Sequence, residues 1–289
     1  MAVIGGLIFI FACVFGSYIM SGGKIEIVLE AAPHELMAIG GAAIGALVVA
    51  NKMNVVKKLG SAFKKALKGP QWKKQDYKDI LCLLFLLCKL MKSKGLIAVE
   101  QHIEKPEESS LFKQFPSILH DHFSVDLICD TLRSMTMGME NPHQVEDVLE
   151  KKIEKHHHEA VKPAGALAGM AEGLPAIGIV AAVLGVIKTM ASINKPPEIL
   201  GQMIGGALVG TFMGVFLSYC VVGPLAGKAT QSLDEEQQLY FIIRDVLVAH
   251  LKGAAPQISM EVGRGNIPTH YQPTFQEMEE ASSTLKVEG

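Results

Sequence analysis

The amino-acid sequence predicts an all-α integral membrane protein with four transmembrane helices and a helical cytoplasmic domain. Three observations point there. Of the 289 residues, 49% are hydrophobic and the mean hydropathy is +0.29, too apolar for an ordinary charged soluble domain of this length. The apolar residues are also bunched: about 20 of them cross a hydrocarbon core of roughly 30 Å as a helix, and stretches at about 1–20, 34–51, 172–192 and 199–222 qualify. The rest of the chain shows apolar positions at three- and four-residue steps, the period of amphipathic helices.

The first stretch carries no charge and lacks the positive start of a signal peptide, so it is expected to remain as a span. The second is expected to start near Pro33 and closes at Asn51 and Lys52. Lys52, Lys57, Lys58, Lys64, Lys65, Lys68, Lys73 and Lys74 follow with few acids before Asp76, which by the positive-inside rule places that side in the cytoplasm. The links 21–32 and 192–198 carry one lysine each and suit the outer side, leaving both termini cytoplasmic. This divides the chain into a first transmembrane hairpin (1–52), a cytoplasmic helical domain (53–170), a second hairpin (171–227) and a C-terminal helix with tail (228–289).

Within the cytoplasmic part, 80–91 is apolar but for Lys89 and too short to cross, so it reads as a buried core helix. Segments 126–135 and 145–153, and the stripe Leu239, Ile242, Ile243, Val246, Leu247 and Leu251, read as amphipathic helices packing on a core. Breaks are expected at 107–110 and at Asn141-Pro142, and the end from Gln272 onward carries no core pattern and is expected to be mobile.

Catalytic and metal chemistry finds little support. Cys13, Cys82, Cys88, Cys129 and Cys220 form no C-x-x-C pair and are expected to be reduced. No phosphate-binding loop, nucleophile elbow or zinc-protease motif occurs. His156, His157 and His158 are consecutive and point in different directions on a helix, so they do not make one metal site. The sequence therefore predicts no enzyme and no cofactor; the net charge of −2 says little about partners, and no nucleic-acid partner is expected.

The second hairpin is more informative. Each of its spans contains one proline, Pro175 and Pro224, that removes a backbone hydrogen bond. Neither has an acid in its interior, and Glu172 and Lys188 are expected at the two membrane faces. Pro175, Ala182 and Thr189 recur at seven-residue steps, as do Thr211 and Ser218. Hydroxyls in such helices bond back to their own carbonyls or line a wet path. Glu35 is expected at the outer end of the second span, where it lines an entrance or caps the helix. Four-residue glycine steps, at Gly41/Gly45, Gly165/Gly169/Gly173 and Gly206/Gly210/Gly214, mark faces for close helix packing, within the chain or between subunits. An ion path of this kind without a carboxylate implies that a partner brings the ionisable group. Outside the membrane, Lys92, Lys94 and Glu100 flank 95–99; they form a solvated face or dock on a charged partner.

The sequence resembles the MotA family of flagellar motor stator subunits over nearly its whole length. The resemblance rests on GSYIMSGG (16–23), PHELMAIGGAAIGA (33–46), GLIAVEQHIEKPEES (95–109), GLPAIGIVAAVLGVIKTM (173–190), VGTFMGVFLSY (209–219), GPLA (223–226) and AAPQISMEVGRGNI (254–267), in that order. It implies an inner-membrane homopentamer around a MotB dimer, whose transmembrane aspartate carries the coupling ion and whose periplasmic part grips peptidoglycan. It implies that Pro175 and Pro224 shape the conformational change and that Thr211 is the hydroxyl of the ion path, with Ser218 beside it. Sodium-driven relatives have threonine where this chain has Ala182, so the resemblance implies H+ as the coupling ion, an alanine methyl offering no oxygen to a partly dehydrated cation. On the rotor side it implies that Glu100 contacts the rotor protein FliG together with Lys92, which replaces the family's arginine, or with Lys94. The related ExbB and TolQ proteins have three spans and lack the first hairpin.

Overall fold

The computed structural model describes residues 2–285, and every regular element among them is helical. In chain order these are α1 (Ala2–Met20), α2 (Ile25–Ala50), α3 (Met53–Lys57), α4 (Leu59–Lys68), α5 (Lys74–Lys94), α6 (Glu100–Glu104), α7 (Pro116–Leu119), α8 (His122–Thr136), α9 (Pro142–Met190), α10 (Pro197–Phe216), α11 (Gly223–Leu251), α12 (Pro256–Gly265) and α13 (Phe275–Thr284). Four helical segments are long and apolar enough to cross a membrane: α1, α2, part of α9, and α10 with its continuation. The chain forms two compact units, one of Met1–Gly69 with Ala160–Ser232, the other of Pro70–Glu159 with Leu233–Gly289.

The first unit packs α2, α9 and α10 around Ile39, Ala43, Ala171, Leu174, Ala181, Met213 and Val222. A second cluster joins Ala62 and Ala66 of α4 to Ala164, Leu167, Leu225, Ala226 and Ala229. Phe11 and Phe15 of α1 sit edge-on to Phe216 at 5.0 and 5.7 Å between ring centroids. Otherwise α1 buries no residue, and Ile8, Phe9 and Met20 are largely exposed, an apolar surface that water alone would not favour.

Two sequence boundaries change. α2 starts at Ile25, not near Pro33, because Gly22 (φ +84°) makes the turn and the helix-forming run IEIVLEAA follows; Pro33 is then inside the helix. The expected helix at 145–153 and the third span are parts of one 49-residue helix, α9, which continues through both Pro163 and Pro175.

The second unit is built on α5, whose residues 80–91 are buried except Lys89, as the sequence indicated. The Leu239 to Leu247 stripe of α11 joins that core. Its α12 packs so closely that a methyl placed on Gly263 would lie 2.9 Å from Leu81 Cδ2 and 3.2 Å from Ile242 Cγ2. The end of the chain corrects the expectation of an unpatterned tail. Tyr271 stacks on Tyr77, and α13 buries Met278, opens with a Thr274–Glu277 capping box and ties to α5 through a 2.9 Å Lys74–Glu277 ion pair. Residues 286–289 lie outside the described residues. His156 stacks on Phe123 with centroids 3.7 Å apart, and His157 Nε2 lies 3.0 Å from Asp234 Oδ1, so two histidines of the run serve this unit's packing.

Candidate functional site: a proline-paired hairpin

In the first unit α9 and α10 meet backbone to backbone. A methyl placed on Gly178 would lie 2.9 Å from Gly210 O and 3.0 Å from Gly214 Cα; one on Gly214 would lie 2.7 Å from Leu174 O. Gly185 faces Ala207 in the same way, with 2.6 Å to its Cβ. Small residues thus set the contact, as expected for helices with little hydrophobic drive to associate in lipid. Of the steps read from the sequence, Gly210 and Gly214 belong to it, whereas Gly206 faces Ala31 of α2. Gly165, Gly169 and Gly173 have no such neighbour within the chain, and α9 instead uses Gly178 and Gly185.

The two prolines differ in their surroundings. At Pro175, α9 runs on without interruption. Just before Pro224 the helix widens into a π turn over Leu217–Val222, in which the Gly223 N–H donates to Ser218 O. A proline cannot donate, and a wider turn next to it is one way a helix accommodates the lost bond.

Ser218 connects these two features. In a regular helix residue 175 would donate its N–H to Ala171 O, four residues back; proline leaves that carbonyl without its donor. Ser218 Oγ donates to Ala171 O at 2.7 Å, across the helix pair and in a buried position. Ser218 therefore does not bond its hydroxyl back to its own helix. Its hydroxyl satisfies the carbonyl exposed by one proline, and its carbonyl anchors the π turn beside the other. Thr189, by contrast, donates to its own helix at Gly185 O, 2.9 Å away.

Thr211 and Ala182 are half-buried, and the structure places a third group beside them. On α2, Ile27, Ala31 and Glu35 follow at four-residue steps against Gly205, Gly206 and Gly210 of α10. A methyl on Gly210 would lie 2.6 Å from Glu35 Oε2 and 3.3 Å from the Ala182 amide nitrogen. Glu35 is thus not at the end of its helix. The start of α2 at Ile25 puts it ten residues in, level with Gly210, so a carboxylate of the first hairpin lies against the second. The four-residue stripe on α2 opposite the glycine steps of α10 was the sequence signal for this, masked by the assumed start at Pro33.

In the second unit Lys92 and Lys94 lie in the last turn of α5, Gly95 turns the chain at φ +83°, a 3₁₀ turn covers Leu96–Val99, and Glu100 opens α6. All three charged residues are exposed, and Ile97 between them is 79% exposed. The geometry brings the two charges of opposite sign onto one short surface segment but gives them no catalytic environment.

Comparison with known proteins accounts for these features. Residues 4–95 match the motility protein A N-terminal family and 120–240 the MotA/TolQ/ExbB proton channel family. Motility protein A of Salmonella typhimurium is 37% identical over 280 residues, 97% of this chain and 94% of that protein. The chain belongs to the motility protein A family. The MotA fold is also that of two solved structures. The MotAB structure from C. jejuni superposes with a TM-score of 0.73 at 16% identity, covering 93% of this chain and 96% of that one. The flagellar MotAB stator complex from Bacillus subtilis superposes with a TM-score of 0.69 at 20% identity, covering 96% and 98%. The N-terminal match spans the first hairpin.

Proposed function

We propose that this chain is the MotA stator subunit of a flagellar motor: with MotB it forms a proton channel in the inner membrane and converts proton flow into torque on the rotor. The observation that carries the mechanism is the Ser218–Ala171 bond, which ties the carbonyl freed by Pro175 to the π turn that precedes Pro224. Two helices joined this way change shape together.

Energetics fit a driven cycle. A proton falling through 100 mV releases about 2.3 kcal/mol, whereas an interhelical hydrogen bond in a membrane is worth about 0.6–1.7 kcal/mol. One proton therefore suffices to break and remake such a contact. In this reading MotB's aspartate takes a proton from the periplasm and releases it to the cytoplasm, five copies of this chain surround two of MotB, and Thr211 offers the path a hydroxyl. Ala182, without an oxygen, favours protons over sodium ions. The apolar, unburied surface of α1 suits lipid or a neighbouring subunit. The lysines of α3 and α4 support a cytoplasmic side for those helices and both termini by the positive-inside rule. Lys92 or Lys94 with Glu100 then meets opposite charges on FliG.

Deleting the gene is expected to leave cells with intact filaments that do not turn. Wild type restores rotation, and Pro175→Ala assembles with MotB but gives little or no torque and proton flux. Normal torque and flux in Pro175→Ala would remove the proline from the mechanism.

A further inference from the structure

Glu35 of the first unit has no part in the mechanism above. It stands about 15 Å along α2 from Ile25 at 1.5 Å per residue, immediately before the uncharged apolar run 36–50 of that helix. Its Oε2 is buried and has no hydrogen-bond partner, and it lies against Gly210, next to Thr211 and opposite the Ala182 amide. A cavity of about 180 Å³ adjoins it, lined by Glu35, His34, Lys188, Thr189, Met203 and Ala207 among others. That is room for several water molecules, with a carboxyl at its wall.

A carboxylate oxygen buried without a partner is unfavourable when the group is charged. A glycine face that admits its head, with an adjoining polar cavity, gives it two environments: a dry one against Gly210 and a wet one in the cavity. We propose that Glu35 is a proton way-station on this chain's side of the path, receiving protons from the cavity and passing them towards the acid that MotB contributes. A hydronium ion in the cavity gives its proton to Glu35 and leaves as water; the same O–H bond breaks when the proton moves on, returning the carboxylate. His34 on α2 and Lys188 on α9 are the other titratable or charged groups facing the cavity.

This inference rests on the proton-driven stator reading, and the test separates the two. In a strain lacking the gene, chains carrying Glu35→Gln or Glu35→Asp are compared with wild type for co-purification with MotB and for bead rotation speed at low load over a range of external pH. Glutamine keeps the shape and polarity of the head but carries no exchangeable acid. Glu35→Gln is expected to assemble and to turn at least about tenfold more slowly, a conservative figure for losing a positioned proton carrier. Glu35→Asp is expected to recover part of the speed with a displaced pH profile. Rotation of Glu35→Gln at wild-type speed would overturn the proposal and leave the stator reading standing, since Glu35 would then be a packing group. If Glu35→Gln does not assemble, Glu35→Asp decides: a displaced profile supports the proposal, and a wild-type profile overturns it. Failure of wild type itself to restore rotation would instead refute the stator reading.

Discussion

Ser218→Ala is expected to weaken the helix pair only because residue 175 is proline. The substitution removes the hydroxyl that donates 2.7 Å to Ala171 O, where Ala171 is 5% and Ser218 2% exposed, so water does not replace it. Leaving a buried acceptor unmet costs about 1–3 kcal/mol in soluble proteins, and interhelical bonds in membranes average about 0.6 with a maximum near 1.7. About 1 kcal/mol is the resulting expectation, a fivefold change in the unfolding equilibrium. In a Pro175→Ala background residue 175 regains its N–H and can bond Ala171 O itself. The same Ser218→Ala change should then cost no more than a few tenths of a kcal/mol, giving a coupling energy near 1 kcal/mol in a double-mutant cycle. The assay is reversible unfolding of the detergent-solubilised protein for wild type, both single variants and the double variant. Equal costs of Ser218→Ala in the two backgrounds would show that the serine does not compensate the proline.

Gly178→Ala and Gly214→Ala place a methyl within about 3 Å of facing backbone atoms that cannot rotate away, so each should lower stability by about 1–3 kcal/mol as overpacking does, while Gly165→Ala, with nothing nearby in the chain, should not lower it; thermal unfolding of the three variants checks this. In the second unit, burial holds His102 and His250 below the ordinary histidine value of 6.5, Lys92 adding to the effect at His250. For a histidine whose folded value is lowered, the unfolded chain binds more protons below 6.5, so stability is full above that pH and falls as the pH drops towards the folded value. His102→Gln, which can still bond Ser109, should flatten that slope in urea titrations at pH 5 to 7.

Much of the architecture could be read from composition and spacing because it depends on apolar length and period. The four spans, the buried helix at 80–91 and the stripe on α11 are of that kind. What could not be read depends on where one helix meets another. Pro33 looked like a helix start, yet the residues before it are good helix formers, and that shift moves Glu35 from the rim to the level of Gly210. The repeat Gly165, Gly169, Gly173 matched the packing pattern better than Gly178 and Gly185, which are seven apart, but only the latter face α10 closely. The bond from Ser218 to Ala171 spans 47 positions, and no local rule links a hydroxyl to a carbonyl at that distance. The roles of Pro175, Pro224, Thr211 and Ala182 came from resemblance; the spacing alone left packing and a wet path open.

The π turn at Leu217–Val222 has one more effect. Each residue advances a helix by about 100°, and a π turn in effect inserts one residue into the winding. The side of α10 that carries Gly210 and Gly214 is therefore not continued by the residues one would count forward to on α11; the register is reset just before Gly223. Were 217–222 wound as a regular helix with no residue removed, Leu225, Ala226 and Ala229 would swing by about 100°, away from α4 and the Ala164–Leu167 segment of α9, whereas deleting one residue there would remove the wide turn and keep those faces in place. The widened turn works as a phase shifter, letting one continuous rod present one face to its partner above and a different face below.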